Sequence, residues 1–272
     1  MKEDTAVRPP IGIFDSGVGG LTVLRALRRR LPGESFLYLG DTARLPYGTK
    51  SAETVQRYAL NAAAHLLEHR VQLLVVACNT ATSFALPQLT AACDVPVVGV
   101  VEPGVRAALE LGVRRVGVIG TEGTIRSGSY QRALERLAGG VEVRARACPL
   151  LVPLAEEGWG DHPITDQVAR TYLGPLLEWG VEALILGCTH YPLLMPSLQR
   201  VVGPDVRLVD SASSVAEAVF QSYRAEPPAG DGRQGEVFIH LTDASDHFLR
   251  VAQAILGAAP EHLEVVHLGE AG

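Results

Sequence analysis

The chain has 272 residues, 47% hydrophobic and 20% charged, so it reads as globular and long enough to bury a sizeable core in one or two domains. Its net charge of -6 argues against a general nucleic-acid surface; the one basic run, Arg28-Arg29-Arg30, closes a predicted helix, where positive charge suits the dipole. The charged start, Met1-Lys2-Glu3-Asp4, has no apolar signal core, and no apolar run approaches the roughly 18 residues of a membrane span. The expected setting is the cytoplasm, with Cys78, Cys93, Cys148 and Cys188 as free thiols and no membrane partner.

Residues 11–14 read as a buried strand, broken by Asp15-Ser16-Gly17-Val18-Gly19-Gly20 and followed by helical periodicity over residues 21–30. A glycine loop opening a helix can cradle a small carboxylate on its N–H groups, but it is neither a G-x-G-x-x-G nor a P-loop. A strand over residues 35–39 leads into Gly40-Asp41-Thr42-Ala43-Arg44-Leu45-Pro46-Tyr47-Gly48, a connection long enough to suggest binding. A helix follows over residues 52–68, then an apolar run ending in Ala77-Cys78-Asn79-Thr80, then a strand over residues 95–100.

Glu102-Pro103-Gly104 marks the expected crossing to a second half. There, a strand ending in Gly120-Thr121-Glu122-Gly123 repeats the opening pattern, and a helix over residues 127–137 and a strand over residues 141–147 follow. After a helix over residues 164–179, Ala183-Leu184-Ile185-Leu186 runs into Gly187-Cys188-Thr189-His190, a second version of the strand–cysteine unit. The glycine loops and the cysteine units recur at nearly one offset, about 105 and 110 residues, as a duplicated α/β unit would. Residues 206–209 form a further predicted strand, and Asp210-Ser211 caps a helix to Tyr223. Residues 225–235 read as a Pro- and Gly-rich linker. A strand over 237–241, a helix over 245–256 and a strand over 263–268 return to the first half. Alternating strands and helices imply mainly parallel sheets flanked by helices, in two pseudo-symmetric α/β domains: 1–101 plus 213–272, and 102–212.

In such folds ligands bind beyond the carboxyl ends of the strands, where Asp15, Ser16, Cys78, Asn79, Thr121, Cys188, Thr189 and His190 all lie. Both cysteines precede predicted helices, whose positive ends favour thiolate. A disulfide fits neither the setting nor the spacing, a zinc site at Cys188 and His190 lacks ordinary ligand spacings, and a covalent nucleophile needs only one thiol. Two matched thiols suit proton removal from one face of a carbon and proton return to the other, without a cofactor or a metal. Cys93 and Cys148 lack the polar residues that follow the other two and read as packing.

The glycine loop with its flanks (residues 12–23), the 40–48 loop, Ala77-Cys78-Asn79-Thr80-Ala81, Glu102-Pro103-Gly104, Val152-Pro153-Leu154 and Gly187-Cys188-Thr189-His190-Tyr191-Pro192-Leu193-Leu194 together resemble the glutamate racemases of the aspartate/glutamate racemase superfamily. Thr82, where the family often has serine, is a small departure. The resemblance implies interconversion of L- and D-glutamate without pyridoxal phosphate or any other cofactor, supplying D-glutamate for bacterial peptidoglycan and hence cell shape. It places the site between two domains and makes Cys78 the base for the D-enantiomer and Cys188 for the L-enantiomer. Asp15 would assist Cys78, and Glu156 (rather than Glu157) and His190 would assist Cys188. Ser16, Asn79, Thr80, Thr121, Thr124, Thr189 and the Pro46-Tyr47-Gly48 backbone would hold the substrate, with Asp15 and His190. A homodimer is the expected assembly. From the residues alone, aspartate racemisation and non-catalytic amino-acid binding stay open, as does the role of each helper, because a carboxylate beside a thiol disfavours thiolate.

Overall fold

The computed structural model describes residues 8–223 and 234–269; most of the predicted 225–235 linker lies outside them. The first half runs β1 (Ile11–Asp15), α1 (Leu21–Arg30), β2 (Phe36–Gly40), α2 (Ala52–Glu68), β3 (Leu73–Val76), α3 (Asn79–Ala92) and β4 (Val97–Gly99). The second runs α4 (Val101–Glu110), β5 (Arg115–Gly120), α5 (Glu122–Ser127), α6 (Ser129–Leu137), β6 (Glu142–Ala147), α7 (Leu151–Glu156), α8 (Pro163–Glu178), β7 (Ala183–Gly187), α9 (Met195–Val202) and β8 (Arg207–Asp210). The chain then returns through α10 (Ser211–Tyr223), β9 (Val237–Leu241), α11 (Asp246–Leu256) and β10 (His262–Val265).

Two sheets form, ordered β10-β9-β2-β1-β3-β4 and β6-β5-β7-β8. Every pairing in them is parallel. The order β2-β1-β3-β4 is repeated as β6-β5-β7-β8, so the duplication inferred from glycine loops and cysteines is a duplication of topology. The central strands are unbroken apolar runs, as strands covered on both faces require. On the first sheet, α1, α10 and α11 pack over one face through Leu24, Val215 and Val251, while α2 and α3 cover the other through Ala59 and Ala85. On the second, α8 and α9 pack through Leu173 and Leu198 on one face, and α4 and α6 through Val105 and Leu134 on the other.

The Glu102-Pro103-Gly104 stretch, where the crossing to a second half is expected, lies in the first turns of α4. The helix expected over residues 127–137 is α6, and a short helix not expected from the sequence, α5, precedes it; Gly128 between them, with a φ of 65°, takes the left-handed conformation that ends α5. Cys188 is followed by a 3-10 turn, Tyr191–Leu194, before α9 begins, so it does not sit directly at an α-helix start.

Candidate active site

In each half, the first strand has a neighbour on either side that follows it in sequence. The chain therefore leaves β1 and β3, and likewise β5 and β7, in opposite directions, opening a crevice at the strands' carboxyl ends. Asp15 ends β1 and Cys78 follows β3; Thr121 follows β5 and Cys188 follows β7. The four chemically loaded positions thus occupy the two crevices, and the halves meet there. Thr22 Oγ1, on α1, donates to Thr189 O at 3.1 Å, and Thr189 Oγ1 donates to Asp15 Oδ1 at 3.3 Å. Thr80 Oγ1 lies 2.9 Å from Thr121 Oγ1 and 3.1 Å from Thr124 Oγ1.

Close approach explains two glycines. A Cβ on Gly19 would lie 2.6 Å from His190 Nδ1, and one on Gly48 would lie 2.6 Å from Thr121 Cβ. Both loops of the first half press directly on the second half's catalytic-end residues.

Cys78 caps α3: its Sγ accepts from Ala81 N at 3.4 Å and lies 3.6 Å from Ser16 Oγ. Burial first, and then the charge of Asp15, push this thiol up to about 12, outweighing the Ala81 N–H. The helix-start argument for an easily formed Cys78 thiolate therefore fails on desolvation. Asp15 is fully buried, and burial raises its own pKa against His190, the Gly17 and Gly20 N–H groups and Thr189. Gly17 N reaches Asp15 Oδ2 at 2.9 Å.

Cys188 has a different neighbour. Its Sγ lies 3.8 Å from His190 Nδ1, and His190 Nε2 lies 3.1 Å from Glu156 Oε1. Burial works against a charged imidazole here, but the hydrogen bonds and charges of Cys188 and Glu156 prevail and raise His190 to about 10. The same contact holds Glu156 below its ordinary range in spite of burial. Glu157 is exposed, so the acid that reaches the histidine is Glu156.

Asn79 shows a residue pattern that the sequence did not reveal. Its Oδ1 accepts from Tyr130 at 2.6 Å and from Ser211 at 3.3 Å, while its buried Nδ2 has no partner among the described residues. Tyr130 and Ser211, in the first turns of α6 and α10, thereby aim an amide donor, a task that no local motif marks. Tyr47 is positioned otherwise than its neighbours. Its ring is buried against Phe14 and Tyr58 and its hydroxyl donates to Asp41, so only its backbone faces the second half. Arg44 Nε pairs with Asp41 Oδ2 at 2.8 Å, and its buried Nη2 has no hydrogen-bond partner among the described residues. Cys148 is buried in the same core cluster as Cys188 but makes no hydrogen bond to the site residues among those described, and Cys93 is half-buried in the first half.

The arrangement offers two thiols, each only 5% exposed, with unlike assistants: a carboxylate on one side, an imidazole–carboxylate pair on the other. The chain that carries this arrangement is similar to known proteins over nearly its whole length. The chain is 53% identical to a glutamate racemase of Geobacter metallireducens over 249 residues, 91% of this chain and 92% of that one. It superposes on the crystal structure of glutamate racemase from Thermus thermophilus in complex with β-chloro-D-alanine with a TM-score of 0.87 and 48% identity, covering 97% of this chain and 99% of that one. Glutamate racemase from Francisella tularensis in complex with D-glutamate gives a TM-score of 0.88 at 35% identity, covering 96% and 98%. The profile of the Asp/Glu/Hydantoin racemase family matches residues 12–219, and the chain belongs to that family.

Proposed function

We propose that this protein interconverts L- and D-glutamate by a two-base mechanism in which Cys78 and Cys188 exchange the roles of acid and base. The observation that carries the reading is the pair of buried thiols at equivalent strand ends of two topologically matched halves. Relatives at up to 53% identity that are named glutamate racemase support glutamate, rather than aspartate, as the substrate.

The chemistry follows from the charges. Cys78, held up to about 12, is a thiol at neutral pH and thus a proton donor. His190, held up to about 10, is an imidazolium, and it supplies positive charge 3.8 Å from Cys188 Sγ as a thiolate forms there. With L-glutamate, the Cys188 thiolate takes the α-proton on one face and Cys78 delivers its own proton to the opposite face. The enzyme is left as Cys78 thiolate and Cys188 thiol, which is the state that accepts D-glutamate. Asp15, whose pKa burial raises, is suited to relay a proton to and from Cys78. Asn79 Nδ2, Ser16, Thr80, Thr121, Thr124, Thr189 and the backbone of residues 46–48 would hold the substrate's polar groups, Asn79 by the donor that no described residue uses.

The rest of the proposal follows the sequence reading. The domains are 1–101 plus 213–272, and 102–212, a division supported by sheet membership and by α10 packing on α1. The product D-glutamate would feed bacterial cell-wall peptidoglycan. Among the described residues no helix is long and apolar enough to cross a membrane, and a cytoplasmic location and a homodimer complete the assignment; sedimentation tests the dimer.

The test uses purified protein, no added cofactor, and L-glutamate or L-aspartate, with product chirality read by circular dichroism. Racemised glutamate is expected, and Cys78→Ala and Cys188→Ala are each expected to abolish it. Racemised aspartate beside untouched glutamate would overturn the substrate. Binding of both without turnover would favour an amino-acid-binding protein.

A further inference from the structure

On the far side of the first sheet, α2 and β9 bring three imidazoles together. His65 and His69 stand one turn apart on α2, and His240, on β9, is 175 positions from His65 along the chain. One ring nitrogen from each lies within 4.8 Å of the other two. His65 Nε2 faces His240 Nδ1 at 2.9 Å.

The hydrogen bonds around the cluster set where the protons lie. His69 Nδ1 lies 2.9 Å from the carbonyl oxygen of His65. A carbonyl only accepts, so His69 carries its proton on Nδ1 and leaves the Nε2 lone pair free. Glu264 on β10 is the register partner of His240, and its Oε2 lies 3.8 Å from His240 Nε2. His65 Nε2 and His240 Nδ1 share one proton across their 2.9 Å contact, and binding of an ion there moves that proton to the far nitrogen of its ring. A carboxylate behind a histidine is the outer partner that metal-ligating imidazoles ordinarily have. Burial, and then the neighbouring imidazoles, lower the pKa of His65 and His240, against Glu68 and Glu264 at His65 and Glu264 at His240.

We propose that His65, His69 and His240 form a binding site for a borderline divalent cation such as Zn²⁺, Ni²⁺ or Co²⁺, separate from the active site. Three imidazoles satisfy such an ion at metal–nitrogen distances of about 2.0–2.1 Å. The 2.9 Å His65–His240 pair has to open by a few tenths of an ångström. The exposed His69 ring turns inward to complete the set. The exposed side of the cluster leaves the fourth position to water. The ion would fasten the returning strands β9 and β10 to α2, a contact otherwise made by side-chain packing.

The test uses full-length protein stripped of metal by a chelator. Ni²⁺ is titrated by calorimetry and Co²⁺ by absorption. One ion per chain is expected, with a cobalt spectrum of nitrogen and oxygen ligation and a rise in Tm on Ni²⁺ binding. His69→Gln, at an exposed position, is expected to weaken Ni²⁺ binding by more than about tenfold, and Glu264→Gln by about tenfold. Racemase activity of metal-free His69→Gln should match that of metal-free wild type. Unchanged Ni²⁺ affinity in His69→Gln overturns the site, as does the absence of saturable binding. A cobalt spectrum dominated by thiolate charge transfer would put the ion at the cysteines and overturn it equally.

Discussion

Asp15 concentrates the conflict between stability and chemistry. It is a fully buried carboxylate with no cation in direct contact, and its raised pKa means that its charge at neutral pH is a net expense to the fold. Asp15→Asn removes the charge and keeps one oxygen to accept from Thr189, but sets an amide NH2 against the Gly17 N–H, so the two effects on stability oppose each other. The variant is expected to lose about a hundredfold or more in kcat with a Tm close to that of wild type; unchanged kcat would contradict the assignment. His190 gives a pH signature. Its folded value of about 10 stands above the ordinary 6.5, so its stabilising contribution is fully present below pH 6.5 and is lost as pH rises through 10. The stability advantage of wild type over His190→Gln, measured by denaturant unfolding, should therefore shrink across that range. An advantage that grows with pH would show that His190 is not held as an imidazolium. At this scale the cysteines, Asp15 and His190 were legible because each follows a strand in a recognisable run. Their protonation was not, because desolvation depends on what packs over them: the helix-start argument for Cys78 points one way and burial the other.

Among elements, the loops that carry no side-chain chemistry set the site's dimensions. Gly48 lets the 40–48 loop lie against Thr121, and Thr121 both caps α5 through Thr124 N at 3.2 Å and meets Thr80 across the halves. Gly48→Val would push Thr121 aside, at a cost of about 1–3 kcal/mol. The expected outcome is a modest loss in thermal unfolding with a larger loss in kcat/KM, because the displaced residues line the site. Wild-type kinetics in this variant would show that the contact is incidental. Strand and helix order was readable from periodicity and turn residues, β1 and α2 almost to the residue. The short α5 ending at Gly128 and the 3-10 turn after Cys188 were not, since both depend on how α6 and α9 dock against the second sheet. Tyr130 and Ser211 belong here too: they act by aiming Asn79, and nothing in their own neighbourhoods announces it.

For the whole molecule, duplication explains both the fold and the site. Two sheets of matching order each carry a thiol just past an equivalent strand, which is what the proposed two-base reading requires: one proton-transfer group from each half, acting on opposite faces of one substrate. Both thiols are 5% exposed, so the proposed reaction calls for the halves to separate as glutamate enters and to close over it during proton transfer. Small-angle scattering should accordingly record a smaller radius of gyration with saturating glutamate than without it; identical curves would argue for entry by local loop motion. The paired strand–cysteine units made the duplication readable in the sequence. The His65–His69–His240 cluster was not, because its third member comes from the returning tail.

The most direct measurement of the two-base claim follows hydrogen at the α-carbon in deuterated water, starting from each enantiomer in turn and stopping at low conversion. The account predicts that the product enantiomer carries solvent deuterium in both directions while the recovered substrate keeps its protium, because separate thiols serve the two faces. Deuterium appearing equally in recovered substrate and product would mean that a single base serves both faces, and would contradict it.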